Sequence, residues 1–125
     1  MSFKDDVGDQ ASLLPKIATG FGGGIGRKGS LCGAFTGSVM VLGMKFGRTE
    51  PEDKESKERV YGLGHRLWDR FEKEIGSCYC YDLIKCHLDN PEEQKRWMAA
   101  GGLEKCSSIV EKAAVLLSDL LKESE

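Results

Sequence analysis

The sequence lacks the features that mark membrane, exported and sheet-containing proteins. No stretch alternates apolar and polar side chains in the manner of a strand. The longest apolar run, residues 39–44, is far shorter than the roughly 20 residues that a membrane span needs. The first residues are acidic and carry no apolar segment of a signal peptide, so we expect a cytoplasmic protein with no membrane partner.

A dominant charge of one sign is also missing. The 18 Lys and Arg side chains nearly balance the 20 Asp and Glu side chains, which leaves a net charge of −2. The two signs are mixed along every polar stretch, so no basic face stands out that would follow a nucleic-acid backbone. Histidine is scarce, and neither His65 nor His87 has an obvious catalytic partner. We therefore expect no nucleic-acid partner and rank general acid–base catalysis low.

Helical periodicity is what the sequence does contain. Apolar residues recur at steps of three and four within residues 60–75, which predicts an amphipathic helix. Residues 103–121 repeat the pattern, and Asn90 ahead of a proline and two glutamates predicts the start of another helix. The expected fold is all-α, a small bundle of five or six helices forming one domain over residues 1–125, with residues 1–10 frayed.

Shorter helices are expected near the amino terminus and around the middle cysteines. The first covers residues 11–19 and begins at Leu14, because Pro15 is tolerated only in a first turn. The second is a single turn within residues 77–87. The residues predicted to form the core are Leu42, Val60, Leu67, Phe71, Ile109, Val110 and Leu117.

The presence of five cysteines needs an explanation other than structural disulfides, because a reducing compartment does not keep such bonds. Their number is odd, and Cys78, Cys80 and Cys86 fall within nine residues. No C-x-x-C pair occurs, which removes the signatures of thioredoxin-like sites, zinc ribbons and covalent haem attachment. Thiolates from several segments can still bind an iron–sulfur cluster or zinc. Buried packing explains any one cysteine but is a weaker explanation for five.

Residues 20–29 contain six glycines and must form a loop. Part of it fits G-x-G-x-x-G ahead of a helix, but a dinucleotide site needs a strand in front, and none is predicted. What remains is a tight turn that offers free N–H groups to an anion or a thiolate, with Gly24, Gly26 and Arg27 as candidate cofactor-binding residues. Simple chain reversal with close packing explains the loop equally well.

A further helix is predicted from Ser30 to Phe46, with Ser30 as its N-cap. Cys32 would then lie in its first turn, where N–H groups, the helix dipole and the cations of the loop lower the pKa of a thiol. This position favours a reactive role for the Cys32 thiol over a role as a packed core side chain. The helix also has a glycine-rich face around Gly37, which predicts the close approach of another backbone, either in the same fold or in a second copy of the chain.

Several blocks of the sequence resemble the C-GCAxxG-C-C family, whose members are described as redox-active proteins of bacteria and archaea. The blocks are residues 20–27, the string Cys32-Gly33-Ala34-x-x-Gly37, residues 40–43, the string Cys80-x-Asp82-Leu83 and the helix of Cys106. The likeness covers roughly residues 14–121. It implies a small helical domain, and the split-Soret cytochromes are similar in carrying a related domain with an iron–sulfur centre.

The resemblance also implies where the site lies. It assigns the redox-active thiols to Cys32, Cys80 and Cys106, and the metal ligands to these three with Cys86 as a further ligand. Members of the family carry an additional cysteine ahead of the glycine loop, whereas this chain has none before Cys32. A four-ligand site must therefore use Cys86 or Cys78, take a ligand from a partner, or have been lost. The chain has no haem motif, so only the cysteine site carries over.

Three hypotheses remain open. The first is a redox protein that holds an iron–sulfur or other thiolate metal centre, with zinc or no metal as the alternatives, and exchanges electrons with a partner protein. The second is a metal-free thiol–disulfide protein, and the third is a non-catalytic assembly domain that forms a homodimer. Under the first, Cys32, Cys80 and Cys106 should meet although they lie 26 to 74 residues apart, and Cys78 should stand apart.

Overall fold

The computed structural model describes residues 12–125, which fold into six α-helices without a strand. The helices are α1 (Leu14–Ala18), α2 (Gly33–Phe46), α3 (Lys54–Glu74), α4 (Cys80–Ile84), α5 (Pro91–Ala99) and α6 (Gly102–Ser124). The predicted all-α fold of five or six helices is confirmed. No described helix is long and apolar enough to cross a membrane. Residues 1–11, which include the segment expected to fray, lie outside the described residues.

Side-chain caps explain where two of the helices begin. The carboxylate of Asp53 accepts a hydrogen bond from the N–H of Ser56 at 3.0 Å and starts α3. The side-chain oxygen of Asn90 accepts hydrogen bonds from the N–H groups of Glu92 and Glu93 at the start of α5. Each cap satisfies donors that the first turn of a helix leaves unpaired. The predicted helix start at Asn90 is confirmed.

Helix α2 begins at Gly33, three residues later than predicted, and Ser30 is not its N-cap. The chain ahead of α2 cannot turn into a helix earlier because Leu31 forms an isolated antiparallel bridge with Tyr79. Cys32 takes the N-cap position, with φ −59° and ψ 135°. Its side chain therefore belongs to the residue before the first turn and not, as predicted, to the turn itself.

The three long helices, α2, α3 and α6, pack against one another and enclose the core. Phe35 of α2 meets Trp68 and Phe71 of α3 edge to face, with ring centroids 5.3 and 5.4 Å apart. Trp68 in turn meets Tyr79 at 5.7 Å. Such pairs add to the free energy gained by burying the rings. They tie the start of α2 and the segment ahead of α4 to the carboxyl-terminal part of α3.

Most of the predicted core is buried. The buried members are Leu42, Leu67, Phe71, Ile109 and Leu117. The prediction is wrong for Val110, which is 55% exposed. It lies seven residues before the buried Leu117, on the same side of α6, but here the helix borders a cavity instead of a packed neighbour. Val60 is only half-buried.

The glycine-rich face of α2 meets no other backbone at its centre within the described part of the chain. A Cβ atom built on Gly37 or on Gly43 has no heavy atom within 4 Å. Ser38 of the same helix is buried, and its hydroxyl donates to the carbonyl of Ala34 at 2.7 Å. The expected backbone contact at Gly37 therefore does not occur within residues 12–125, and the contact with a second copy stays a prediction.

Two glycines in helices test this packing as a matched pair. Gly37→Ala should raise the free energy of unfolding by up to about 1 kcal/mol, because glycine inside a helix costs that much and the added Cβ meets nothing. Gly102→Ala should lower it by about 1–3 kcal/mol, because its Cβ would overlap the indole ring of Trp97. Urea unfolding of both variants measures the two effects. A Gly102→Ala protein as stable as the parent would contradict the packing of Gly102 against Trp97.

Candidate functional site

Two segments that are distant in sequence are joined by backbone hydrogen bonds, and this junction positions two of the cysteines. The N–H of Cys32 donates to the carbonyl of Cys78 at 2.7 Å. The N–H of Cys80 donates to the carbonyl of Ser30, also at 2.7 Å. Both bonds satisfy backbone groups near the core that would be costly to leave unpaired. The residue that precedes α2 and the residue that begins α4 are therefore held side by side.

One cavity of about 640 Å³ is lined by Cys32, Cys80 and Cys106. The three cysteines come from different elements, because Cys32 precedes α2, Cys80 begins α4 and Cys106 lies in the second turn of α6. Cys80 is buried, whereas Cys32 and Cys106 are half-buried at the cavity wall. All three are free thiols. The fold thus brings these three residues to one space, and their chemical roles stay predictions.

The glycine loop forms one end of this cavity, with Gly24, Gly26 and Arg27 on its wall. Every residue from 23 to 27 has a positive φ, between 58° and 71°. Ile25 and Arg27 are not glycines, and this left-handed backbone costs a residue with a side chain about 1–2 kcal/mol. Strain of this kind persists only where the surrounding structure holds it, and it is frequent at functional sites.

The prediction that this loop offers free N–H groups is wrong for most of it. The N–H groups of residues 25–30 each donate to a carbonyl of residues 20–25 at 2.9–3.2 Å, because the left-handed turn folds the chain back on itself. Open donors lie instead at the start of α2. The N–H groups of Gly33 and Ala34 donate to no backbone carbonyl of the described chain, and both residues line the cavity.

Burial raises the pKa of the two inner thiols. The pKa of Cys80 rises to about 11, first because burial disfavours the thiolate and then because charge on Cys32, Cys106 or Cys86 would repel it. Burial also raises the pKa of Cys106, and charge on Cys32 adds to the effect. Both thiols are therefore protonated at neutral pH when nothing is bound to them. The mutual influence of the three cavity cysteines reflects their proximity.

The two remaining cysteines do not line the cavity. Cys78 is fully buried, its thiol lies 3.7 Å from the carbonyl oxygen of Trp68, and burial raises its pKa to about 12. Cys86 is buried as well, and burial raises the pKa of its thiol. Cys86 influences the pKa of Cys80 without forming part of the cavity wall. Its role as a further metal ligand stays a prediction.

The chemistry of the donors around the cavity suits a thiolate-bound metal. Thiolates are the ligands that iron–sulfur clusters and zinc prefer, and an apolar shell controls the access of water to such a site. Within residues 12–125, no group of three or more His, Cys, Asp or Glu side chains is already assembled so that it could hold a metal ion. The thiols of the cavity would have to move closer together for a metal to bind.

Sequence analysis missed the apolar wall of the cavity, which α5 and α6 provide. Trp97, Met98, Leu103 and Val110 line it, and the last three are 47–56% exposed. A signal was present in the sequence, because Leu103, Cys106 and Val110 follow one another at steps of three and four residues. This spacing continues the apolar stripe of the core residues Ala113 and Leu117 toward the start of α6, where the stripe borders the cavity.

The chain is similar to one family of proteins. A family model with the description "Putative redox-active protein (C_GCAxxG_C_C)" matches residues 1–120, a range that contains all five cysteines and the glycine loop. No curated protein and no solved structure matches the chain.

Two glycines of the loop provide the next test. Gly24→Ala and Gly26→Ala should each lower the free energy of unfolding by about 1–2 kcal/mol, because both glycines have a positive φ. The Cβ added at Gly24 would also lie 2.6 Å from the backbone nitrogen of Ser30 and 2.7 Å from the Cβ of Cys80, whereas the one at Gly26 meets nothing within 4 Å. Gly24→Ala should therefore cost about 1–3 kcal/mol more. Equal losses in urea unfolding would contradict the contact between loop and Cys80.

The buried thiols predict a loss of stability in alkali. Their folded-state pKa values, about 12 for Cys78 and about 11 for Cys80, lie above the value of about 8.5 for a thiol in an unfolded chain. Between roughly pH 9 and 11 the unfolded chain therefore loses protons that the folded chain keeps, and the free energy of unfolding falls with pH.

Each such thiol contributes up to about 1.4 kcal/mol per pH unit in this window. Cys78→Ala should make the fall in unfolding free energy between pH 9 and 11 shallower by about this slope, and Ser77→Ala, which removes no titrating group, should leave it unchanged. Urea unfolding at several pH values gives the slopes. Identical slopes for Cys78→Ala and the parent would show that the Cys78 thiol ionises as easily in the folded chain as in the unfolded one.

Proposed function

This chain belongs to the C_GCAxxG_C_C family, which is described as redox-active, and on this basis we propose that Cys32, Cys80 and Cys106 form its redox site. The observation that carries the proposal is that all three line one cavity although they come from three elements of the fold. Chance packing would distribute cysteines among separate apolar neighbours. Cys78, which does pack in this way, illustrates the difference.

The centre that we propose at this site is an iron–sulfur or other thiolate-bound metal centre. Cys32, Cys80 and Cys106 would hold it, and when bound it would supply reversible one-electron chemistry. Cys86 is the candidate for a fourth ligand, because it is a buried thiol two residues beyond the end of α4, the helix that Cys80 begins. The start of α2 supports an anionic site, since its open N–H groups and the positive end of the helix dipole attract negative charge into the cavity.

The raised pKa values support metal binding over thiol exchange. A thiolate is the nucleophile in disulfide exchange, and Cys80 and Cys106 are protonated at neutral pH. A metal ion removes this barrier because it displaces the proton and compensates the thiolate charge that burial disfavours. Metal affinity should therefore rise with pH. The electrons would pass to or from a partner protein at the open side of the cavity.

A metal-free thiol–disulfide protein is the second candidate. It is favoured by one observation, that Cys32 lines the same cavity as Cys80 and Cys106 and therefore has two candidate partners for a disulfide. In this case two cavity thiols would form one disulfide by exchange with a disulfide of a partner, which takes up their two electrons and two protons and leaves as a dithiol. The pair would be restored by a dithiol donor.

Anaerobic reconstitution with ferrous iron and sulfide tests the leading proposal. The parent protein should bind both and gain visible absorption, which Cys32→Ser, Cys80→Ser and Cys106→Ser should each reduce, with a loss of metal affinity of about tenfold or more. Measured iron, sulfide and zinc contents identify the metal. Circular dichroism confirms that each variant is folded.

Cys78→Ser is the matched control for these variants. It removes a thiol two residues from Cys80 that does not line the cavity, and its hydroxyl can replace the contact with the Trp68 carbonyl. Metal content should therefore stay at the parent level. Equal losses in Cys78→Ser and Cys80→Ser would contradict the proposed site, and a protein that binds no metal but forms a Cys32 disulfide on oxidation would support the second candidate.

A further inference from the structure

The cysteine cavity has the shape and charge of a site for an organic ligand. We propose that it binds a small organic anion with an apolar body, which lies against α5 and α6 with its charged group toward Arg27 and the start of α2. This inference rests on the proposed function, because it names the class of substrate that the redox site would act on. The observations that support this ligand come from parts of the cavity that a metal held by the three thiols would not fill.

Size is the first argument. Cavities that hold small molecules have volumes of roughly 300–1,000 Å³, and this one has about 640 Å³. A metal ion held by three thiols fills a small part of such a space. The cavity wall extends from the cysteines along α5 and α6, where Met98 and Val110 line it.

The apolar wall is the second argument. Met98, Leu103 and Val110 are 47%, 56% and 55% exposed. Single exposed apolar residues are common, but here several of them line the same concave surface together with Trp97. A ligand with an apolar body would remove this surface from water and gain the corresponding free energy.

The charge at the opposite end is the third argument. Arg27 is the one charged side chain that lines the cavity in the part of the chain that the structure describes. It forms no ion pair or hydrogen bond with a described side chain, so its charge is available to a ligand. The open N–H groups of Gly33 and Ala34 line the same space. One cation, two backbone donors and no carboxylate form a complementary surface for a single anionic group.

Two fluorescent probes of nearly the same shape test the proposal on the full-length, metal-free, reduced protein. They are anilinonaphthalenesulfonate, which carries one negative charge, and N-phenylnaphthylamine, which carries none. Each should bind once per chain, with a rise in fluorescence. Arg27→Gln should weaken binding of the sulfonate by about threefold or more and leave binding of the uncharged probe unchanged, because it removes only the charge interaction.

Val110→Glu tests the apolar wall. It should weaken binding of both probes by about tenfold or more, because it places a charge where an apolar body would lie. Val115→Glu is the matched control, since Val115 is 54% exposed on the same helix but does not line the cavity. It should leave both affinities unchanged. Circular dichroism establishes that the variants remain folded.

Binding without saturation, or equal affinity of the parent and Val110→Glu for both probes, would overturn the proposed ligand site. Equal weakening of both probes by Arg27→Gln would overturn the preference for an anion. Because the probes are measured without metal, these failures are separate from a failure of the proposed function. That failure would appear as unchanged metal content in Cys32→Ser, Cys80→Ser and Cys106→Ser.

Discussion

The site depends on the pair of backbone hydrogen bonds that joins residues 30–32 to residues 78–80. In an otherwise helical protein, this junction is the place where the chain must stay extended, and it postpones the start of α2 until Gly33. The edge-to-face contact between Trp68 and Tyr79 holds the second segment against α3. Without the junction, Cys32 and Cys80 would belong to separate helix ends, with no reason to share a cavity.

The glycine loop is best understood as the support of this junction. Gly24 is buried against the backbone of Ser30 and the Cβ of Cys80, so a side chain at this position would push the two segments apart. The left-handed path that allows this contact also places Ile25 and Arg27 at positive φ, which is unfavourable for residues with side chains. The loop therefore stores strain while it closes its own hydrogen bonds. The loop contributes part of the cavity wall and the charge of Arg27. It does not contribute the free N–H groups that the glycine pattern predicts.

The positions and order of the helices could be predicted from the sequence, because both depend on local periodicity and caps. The helix that begins after the Asn90 cap is an example. The start of α2 could not be predicted, because Ser30 looks like an N-cap until the distant bridge to Tyr79 is known. Convergence of Cys32, Cys80 and Cys106 was inferable only through the resemblance, since spacings of 26 and more residues carry no geometric information. Val110 is apolar, so the sequence predicts its burial in the core. The sequence does not indicate whether a neighbouring helix or a cavity adjoins this position.

The same apolar surroundings account for both the chemistry and the ligand preference that we infer. Cys80 is buried and Cys106 is half-buried at the cavity wall, and this burial raises the pKa values of both thiols. A protonated, uncharged site is compatible with an apolar ligand, whereas a site of three thiolates would repel an organic anion. A divalent metal would compensate only part of the thiolate charge, so the loaded site would repel an anion less than free thiolates do and more than the protonated site does. The arrangement therefore couples the charge of the cysteine site to the binding of an anion beside it, with Arg27 as the fixed charge common to both states.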